Sequence, residues 1–199
     1  MLVTVAALKG GVGKTTTAVH LAGYLQQHAR TLLIDEEGAG ALDWAEAGLL
    51  PFDTLLEADA GAVFNEYQHQ VIDAGARTDP RLLADLAQHS DFLLVPTTPD
   101  ALALSALLKT LRALDGAQQY GVLLTITAPH PSRDADEAQA VLEDLGVPVL
   151  EARIPRAVAY QRAALGGVLV HQVIDRRSPE CWAAYEAVGR EVMQRGAKV

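Results

Sequence analysis

The sequence predicts an α/β fold, a mostly parallel twisted sheet flanked by helices on both faces, and three observations carry that reading. Strand-length apolar runs alternate along the chain with segments of helical periodicity. The runs are continuous in Val, Leu and Ile, as strands buried on both faces require. A glycine-rich turn stands between the first run and the first helical pattern, so the chain reverses from strand to helix within a few residues.

Six runs are expected as strands: residues 2–7, 31–34, 70–72, 91–95, 122–127 and 147–150. Four helices are expected. Residues 16–27 place Val19, Leu21, Ala22 and Leu25 near one face, and residues 100–114 repeat Leu102, Leu104, Leu107, Leu108 and Leu111. Pro80, after Asp79, suits the first position of a helix over 80–88, and Ser178-Pro179 opens one over 180–194. With 199 residues and half of them apolar, the chain suits a single domain over 1–199 with one sizeable core. There is no internal repeat, long linker or low-complexity tract.

No apolar run approaches the roughly 20 residues that span a bilayer. Met1 leads straight into a strand-like run without a secretion signal, and a cytoplasmic site is expected. Cys181 is the lone cysteine, which excludes an intrachain disulfide or a cysteine metal cluster, and its expected place is as a buried small hydrophobe on the last helix. The net charge of −9 argues against a generally basic nucleic-acid binder. The charge is unevenly spread, however: residues 1–149 hold eight Lys/Arg against twenty Asp/Glu, and residues 150–199 hold eight against five. Arg153, Arg162, Arg176, Arg177, Arg190, Arg195 and Lys198 either form a local basic face or solvate two amphipathic helices.

The turn after the first strand reads Leu8-Lys9-Gly10-Gly11-Val12-Gly13-Lys14-Thr15-Thr16. Its glycines let consecutive backbone N–H groups turn inward as an anion-binding nest, and the following helix adds the positive end of its dipole. Lys14 would reach the β- and γ-phosphates of a nucleotide, and the Thr15 hydroxyl would ligate Mg²⁺. The general pattern G-x-x-x-x-G-K-[ST] asks for glycine where this chain has Leu8.

With Lys9, the run K-G-G-x-G-K-T-T resembles the deviant phosphate loop of the ParA/MinD ATPase family. The resemblance implies ATP and Mg²⁺ as cofactors and a nucleotide-sandwich homodimer in which Lys9 reaches phosphate bound by the other subunit. Residues 32–38, Leu-Leu-Ile-Asp-Glu-Glu-Gly, resemble the family's hydrophobic-D-x-D-P-Q segment, with Asp35 at the first aspartate, which the resemblance implies as a catalytic residue and as a Mg²⁺ holder with Thr15 and Asp73, and Glu37 at the second, tied to Mg²⁺ and the attacking water. Gly38-Ala39 replaces Pro-Gln, and the extra methylene of Glu37 shifts its reach; displacements of about 1 Å can cost on the order of 10²-fold in rate. Glu37 is otherwise a solvated acidic turn residue. The run Gln70-Val71-Ile72-Asp73 resembles the family's metal-holding strand end, with Asp73 the candidate. Arg153-Ile154-Pro155-Arg156 resembles its late I-P-R segment, which makes Pro155 and Arg156 candidate base contacts.

The resemblance spans nearly the whole chain and is nearest the short plasmid-partition branch, because Leu42-Asp43-Trp44 follows the second motif and no helix-turn-helix precedes the first. It implies an ATP dimer that binds nonspecific duplex DNA, associates with the nucleoid, and is stimulated to hydrolyse by a small ParB/ParG-like centromere-binding adaptor. Arg156, Arg162, Arg176 and Arg177 are the DNA candidates. The alternative is an ATP-gated scaffold or positioning protein with little hydrolysis and a cargo other than DNA. A MinD-like membrane cycle ranks lower, since the chain ends Arg-Gly-Ala-Lys-Val without a strongly apolar tail. The single cysteine excludes a nitrogenase iron protein, whose subunits each supply two cluster ligands.

Overall fold

A computed structural model of the chain describes residues 1–7, 9–75, 80–113, 119–129 and 131–197. Leu8, Asp79, Leu114 and Lys198 of the sequence reading lie outside them. Seven parallel strands form one sheet: β1 (Leu2–Val5), β2 (Thr31–Asp35), β3 (Asp53–Leu56), β4 (His69–Asp73), β5 (Phe92–Thr97), β6 (Tyr120–Thr127) and β7 (Val149–Pro155). Their order is β3-β2-β4-β1-β5-β6-β7. The helices are α1 (Lys14–Leu25), α2 (Ala41–Glu46), α3 (Glu57–Ala60), α4 (Pro80–His89), α5 (Ala101–Ala113), α6 (Arg133–Asp144), α7 (Val158–Gly166) and α8 (Ser178–Gly196).

Neighbouring residues of a buried strand serve opposite faces, and β5 shows it directly. Leu94 joins Leu21 and Leu25 of α1 and Tyr185 and Val188 of α8 in one core. Leu93 joins Leu107 of α5 and Leu142 of α6 in the other. Helices therefore cover both faces, which is why the strands carry no polar alternation. No described helix is long and apolar enough to cross a membrane.

The six expected strands are all present, and β3 is a seventh. It is a four-residue edge strand with only two strongly apolar residues, Leu55 and Leu56, so its sequence gives no run to detect. Four helices also went unread. In α6 the buried stripe is Ala135, Ala138 and Leu142, and two alanines supply little hydrophobic contrast against seven charged or amide neighbours. Pro179 sits in the first turn of α8, as its fixed φ favours. Cys181 is buried on that helix. Arg153 corrects the helix-solvating reading: it lies on β7, and Arg176 and Arg177 lie in the turn before α8.

The two edges of the sheet differ. At β7 the register with β6 jumps from Val122↔Val149 to Leu124↔Arg153, a bulge that frees backbone N–H groups. Glu191 of α8 takes up two of them: Glu151 N–H donates to one carboxylate oxygen at 3.0 Å and Ala152 N–H to the other at 2.7 Å. Arg195 donates to the Val149 carbonyl at 3.0 Å.

Candidate functional site

In open parallel sheets, ligand clefts form beyond the carboxyl ends of the strands. The glycine-rich loop leaves β1 there. Gly11 and Gly13 hold φ of 77° and 81°, a region closed to most side chains, and Gly13 caps α1 without a side-chain bond. The loop's far side is pinned by Thr125 at the end of β6, whose hydroxyl lies 2.7 Å from the Val12 carbonyl and 3.1 Å from that of Thr97. A cavity of about 260 Å³ opens beside the loop, lined by Lys9, Gly10, Gly11, Gly13, Lys14, Thr15, Thr16, Glu37 and Ala39.

The strand ends bring Lys14, Thr15 and Asp73 together. Lys14 Nζ donates to Asp73 Oδ1 at 2.6 Å, and the Thr15 hydroxyl lies near enough to the same carboxylate to lower its pKa. The Asp73 side chain is 1 % exposed. Burial pushes its pKa above the usual aspartate value, while Lys14 and Thr15 pull it back and the neighbouring Asp35 adds to the rise. A hydroxyl and a carboxylate side by side form the all-oxygen donor set that Mg²⁺ prefers. No three such side chains form a complete metal cage among the described residues, so a Mg²⁺ here would take further oxygens from nucleotide and water.

Asp35 does something else with its oxygens. Oδ1 accepts the N–H groups of Glu37 and Gly38 at 3.0 and 3.1 Å, and Oδ2 accepts that of Leu42 at 3.0 Å. It thereby folds residues 36–42 into a loop facing the cavity, and the structure does not bring it into the Lys14–Asp73 hydrogen bonds. Glu37 stands exposed on that loop at the cavity rim. A Cβ on Gly75 would come within 2.9 Å of a Glu37 oxygen, so the glycine leaves room for this side chain. Glu36, absent from the sequence reading, accepts the Gly75 N–H at 2.7 Å, and partial burial raises its pKa. It straps the end of β2 to the end of β4.

Lys9 lies apart from Lys14. Its ammonium is 3.2 Å from both oxygens of Asp100, at the start of α5. Hydrogen bonds from Thr98 and the Ala103 N–H, with Lys9 adding charge, lower the Asp100 pKa to about 2.

Pro155 and Arg156 line a second cavity, of about 490 Å³, against the other flank of the loop, together with Gly11, Gly13, Thr16 and Ile126. Tyr160, Gln161 and Tyr185 are also among its lining residues, and none of them, nor Ile126, is singled out by the sequence. The rule that sites gather at strand ends would have pointed to Thr125 and Ile126. Beneath this cavity His20 is fully buried, stacked on Tyr185 at 4.6 Å. Its Nδ1 donates to the Thr16 carbonyl at 2.7 Å and its Nε2 accepts the Val170 N–H at 3.1 Å, which fixes one neutral tautomer. Burial lowers its pKa to about 4.

The four DNA candidates gather around the start of α7 and the turn before α8. Arg177 donates to the Arg156 carbonyl at 2.8 Å, and Asp175 accepts both the Arg177 N–H and the Arg162 guanidinium. Arg162 is paired with Asp175 and Arg177 with Glu180, so two of the four charges are locally balanced. Arg156 and Arg176 are exposed and pair with no acid among the described residues.

A family model described as the CobQ/CobB/MinD/ParA nucleotide binding domain matches residues 3–170. The chain is 37 % identical over 194 residues to the maintenance of carboxysome distribution protein A of Gloeobacter kilaueensis, covering 92 % of this chain and 90 % of that one. It is 30 % identical over 185 residues to the protein of the same name from Halothiobacillus neapolitanus, covering 85 % and 86 %. In fold it is similar to an ATP complex of a Cyanothece McdA variant, with a TM-score of 0.75, 18 % identity and coverage of 100 % and 98 %. With the phosphate loop, the strand-end acids and the seven-stranded parallel sheet in place, the chain belongs to the CobQ/CobB/MinD/ParA nucleotide-binding family, as one of its ParA/MinD-type ATPases.

Proposed function

We propose that the chain is an ATP-driven positioning protein: an MgATP-dependent homodimer that holds nonspecific duplex DNA and distributes a large protein assembly through an adaptor. The observation that carries the nucleotide part is the convergence of Lys14, Thr15 and Asp73 beside a glycine nest whose cavity Glu37 borders. Lys14 neutralises the outer phosphates, and Thr15 and Asp73 hold Mg²⁺, which when bound offsets charge on the β- and γ-oxygens. Glu37 orients the attacking water, and Asp35 keeps the loop that carries it in place. Pro155 and Arg156 contact the base. Lys9 leaves Asp100 and meets the triphosphate of a second copy, which couples assembly to ATP rather than ADP.

A protein assembly is favoured as cargo over a plasmid because the two relatives that share at least 30 % identity are named for carboxysome distribution. Plasmid partition with a centromere-binding adaptor is the second reading, supported by ParA membership of the same family. DNA binding is common to both, and the clustering of Arg156, Arg162, Arg176 and Arg177 supports it. Two copies of a modestly basic face placed side by side double the phosphates neutralised, so binding is expected only from the ATP dimer.

The test combines light scattering with gel shifts on unrelated duplexes, each with ATP, ADP and no nucleotide. A dimer and a shift with ATP alone are expected, the shift weakening steeply with salt. Arg156→Ala and Arg176→Ala should each lower the salt slope by about one, and Arg162→Ala by less. An ATP-bound dimer that shifts no duplex at low salt would remove DNA from the proposal. Imaging of the assembly beside a plasmid-inheritance assay in cells lacking the protein separates the two cargoes.

A further inference from the structure

Among the described residues, Ile126 alone combines a side chain with a positive φ, 53°. In the left-handed region Cβ crowds the following carbonyl oxygen, and a β-branched residue there costs roughly a factor of 5–30 in the folding equilibrium. Such strain persists where neighbours hold it, and it gathers at ligand sites. The neighbours here are two buried threonines. The Thr125 hydroxyl reaches the loop carbonyl of Val12, and Thr127 accepts the Arg156 N–H at 2.8 Å through its carbonyl.

Strand alternation assigns Ile126 to the face of Val122 and Leu124, which sit in the core against α5 and α6. Ile126 is not there. The register breaks between Leu124 and Thr127, and Ile126 emerges 38 % exposed into the cavity of about 490 Å³ beside the phosphate loop. Pro155, paired with Thr127 on the next strand, lines the same cavity. Two rigid apolar side chains thus rise from adjacent strands, with Arg156 and Gln161 as polar groups of the same cavity.

We propose that Ile126 is a base-binding residue that sets purine preference: its side chain, beside that of Pro155, is the apolar platform on which the face of a purine nucleoside triphosphate's base packs. A purine covers both side chains, whereas a single pyrimidine ring covers less of them. The inference rests on the nucleotide reading above and adds the residue that reads the base. It also gives the strained backbone a use, because a relaxed Ile126 would turn back into the core and leave Pro155 alone.

The experiment is calorimetric titration of the full chain with MgATP, MgCTP and magnesium tripolyphosphate, which carries no base. The variants are Ile126→Gly and Ile126→Asn, both at ease at positive φ, and Ile126→Val, which keeps the branched shape. Gly and Asn are expected to lower MgATP affinity about tenfold, the weight of one aliphatic contact, and to narrow the preference for ATP over CTP. Tripolyphosphate affinity should stay within about twofold, and Val should stay near the wild type. Undiminished MgATP affinity in both Gly and Asn overturns the proposal. A wild type that binds tripolyphosphate as tightly as MgATP overturns it while the phosphate loop stands, and one that binds neither removes the nucleotide reading together with it.

Discussion

The sheet is regular from β3 through to β6 and irregular only where β6 meets the edge strand β7. From β3 through β2 and β4 to β1, every strand pairs with its neighbour in unbroken parallel register. Between β6 and β7 the register shifts twice, Ile126 turns left-handed, and an acid from α8 fills the gap in the ladder. The regular region presents Asp35, Asp73 and the phosphate loop; the irregular region presents Ile126, Pro155 and Arg156. Triphosphate chemistry asks only for N–H groups, a lysine and carboxylates at strand ends, which straight strands deliver. A base asks for side chains turned off the ladder, which a regular strand cannot supply.

The comparison breaks first at Lys14. Lys14→Ala should abolish both MgATP and tripolyphosphate binding, at least 10²-fold by calorimetry, because the nest alone cannot neutralise the outer phosphates. Loss of MgATP binding with tripolyphosphate spared would merge the two regions and defeat the division.

The second test falls on His20, which joins the two regions by bonding Thr16 of α1 and stacking on Tyr185 of the cavity of about 490 Å³. Its folded pKa of about 4 lies below the ordinary 6.5, so between these values the unfolded chain binds the extra proton. Its contribution to stability is complete above pH 6.5 and is lost as pH falls toward 4, by on the order of 3 kcal/mol. Urea unfolding at pH 7 and pH 4.5 should show that loss in the wild type and a flatter dependence in His20→Gln. Equal slopes would place the pH sensitivity elsewhere.

Glu191 sharpens the irregular region. Glu191→Ala leaves the N–H groups of Glu151 and Ala152 without their acceptor and should cost about 1–3 kcal/mol of stability. MgATP affinity should fall more than tripolyphosphate affinity, since the bulge positions Pro155. The smallest effect belongs to Asp100→Asn. Its pair with Lys9 is half exposed and worth under about 1 kcal/mol, so melting should scarcely change. Freed Lys9 should raise the dimer fraction seen by light scattering at limiting ATP, and an unchanged fraction would show that Asp100 does not restrain it.

The same division governs what the sequence discloses. The phosphate loop was legible because its requirement is local: glycines at fixed steps, then Lys14 and Thr15, between an apolar run and a helix. Asp73 was legible because it ends such a run. The sequence also singled out Glu37, whereas the strap between strand ends is made by Glu36, whose partner Gly75 lies 39 residues away. The strand-end rule reaches Ile126 as a position, but its left-handed turn was beyond reach, since nothing in Leu-Leu-Thr-Ile-Thr distinguishes a left-handed isoleucine from an ordinary one; the bulge with β7 decides it. Arg162 and Arg177 looked like free cations until Asp175 and Glu180 were seen beside them.

The carboxylate of Glu191 and the guanidinium of Arg195 have a consequence for the chain in a crowded cell. An open outer strand is a template on which foreign or sibling backbone can condense, strand upon strand, into insoluble fibres. Here α8 occupies that template from within, satisfying Glu151, Ala152 and Val149 before any other molecule can. Copies of this chain are thereby steered away from ladder-on-ladder growth at β7, and a reversible encounter between two molecules is left to surfaces whose contacts a bound ligand can make and break.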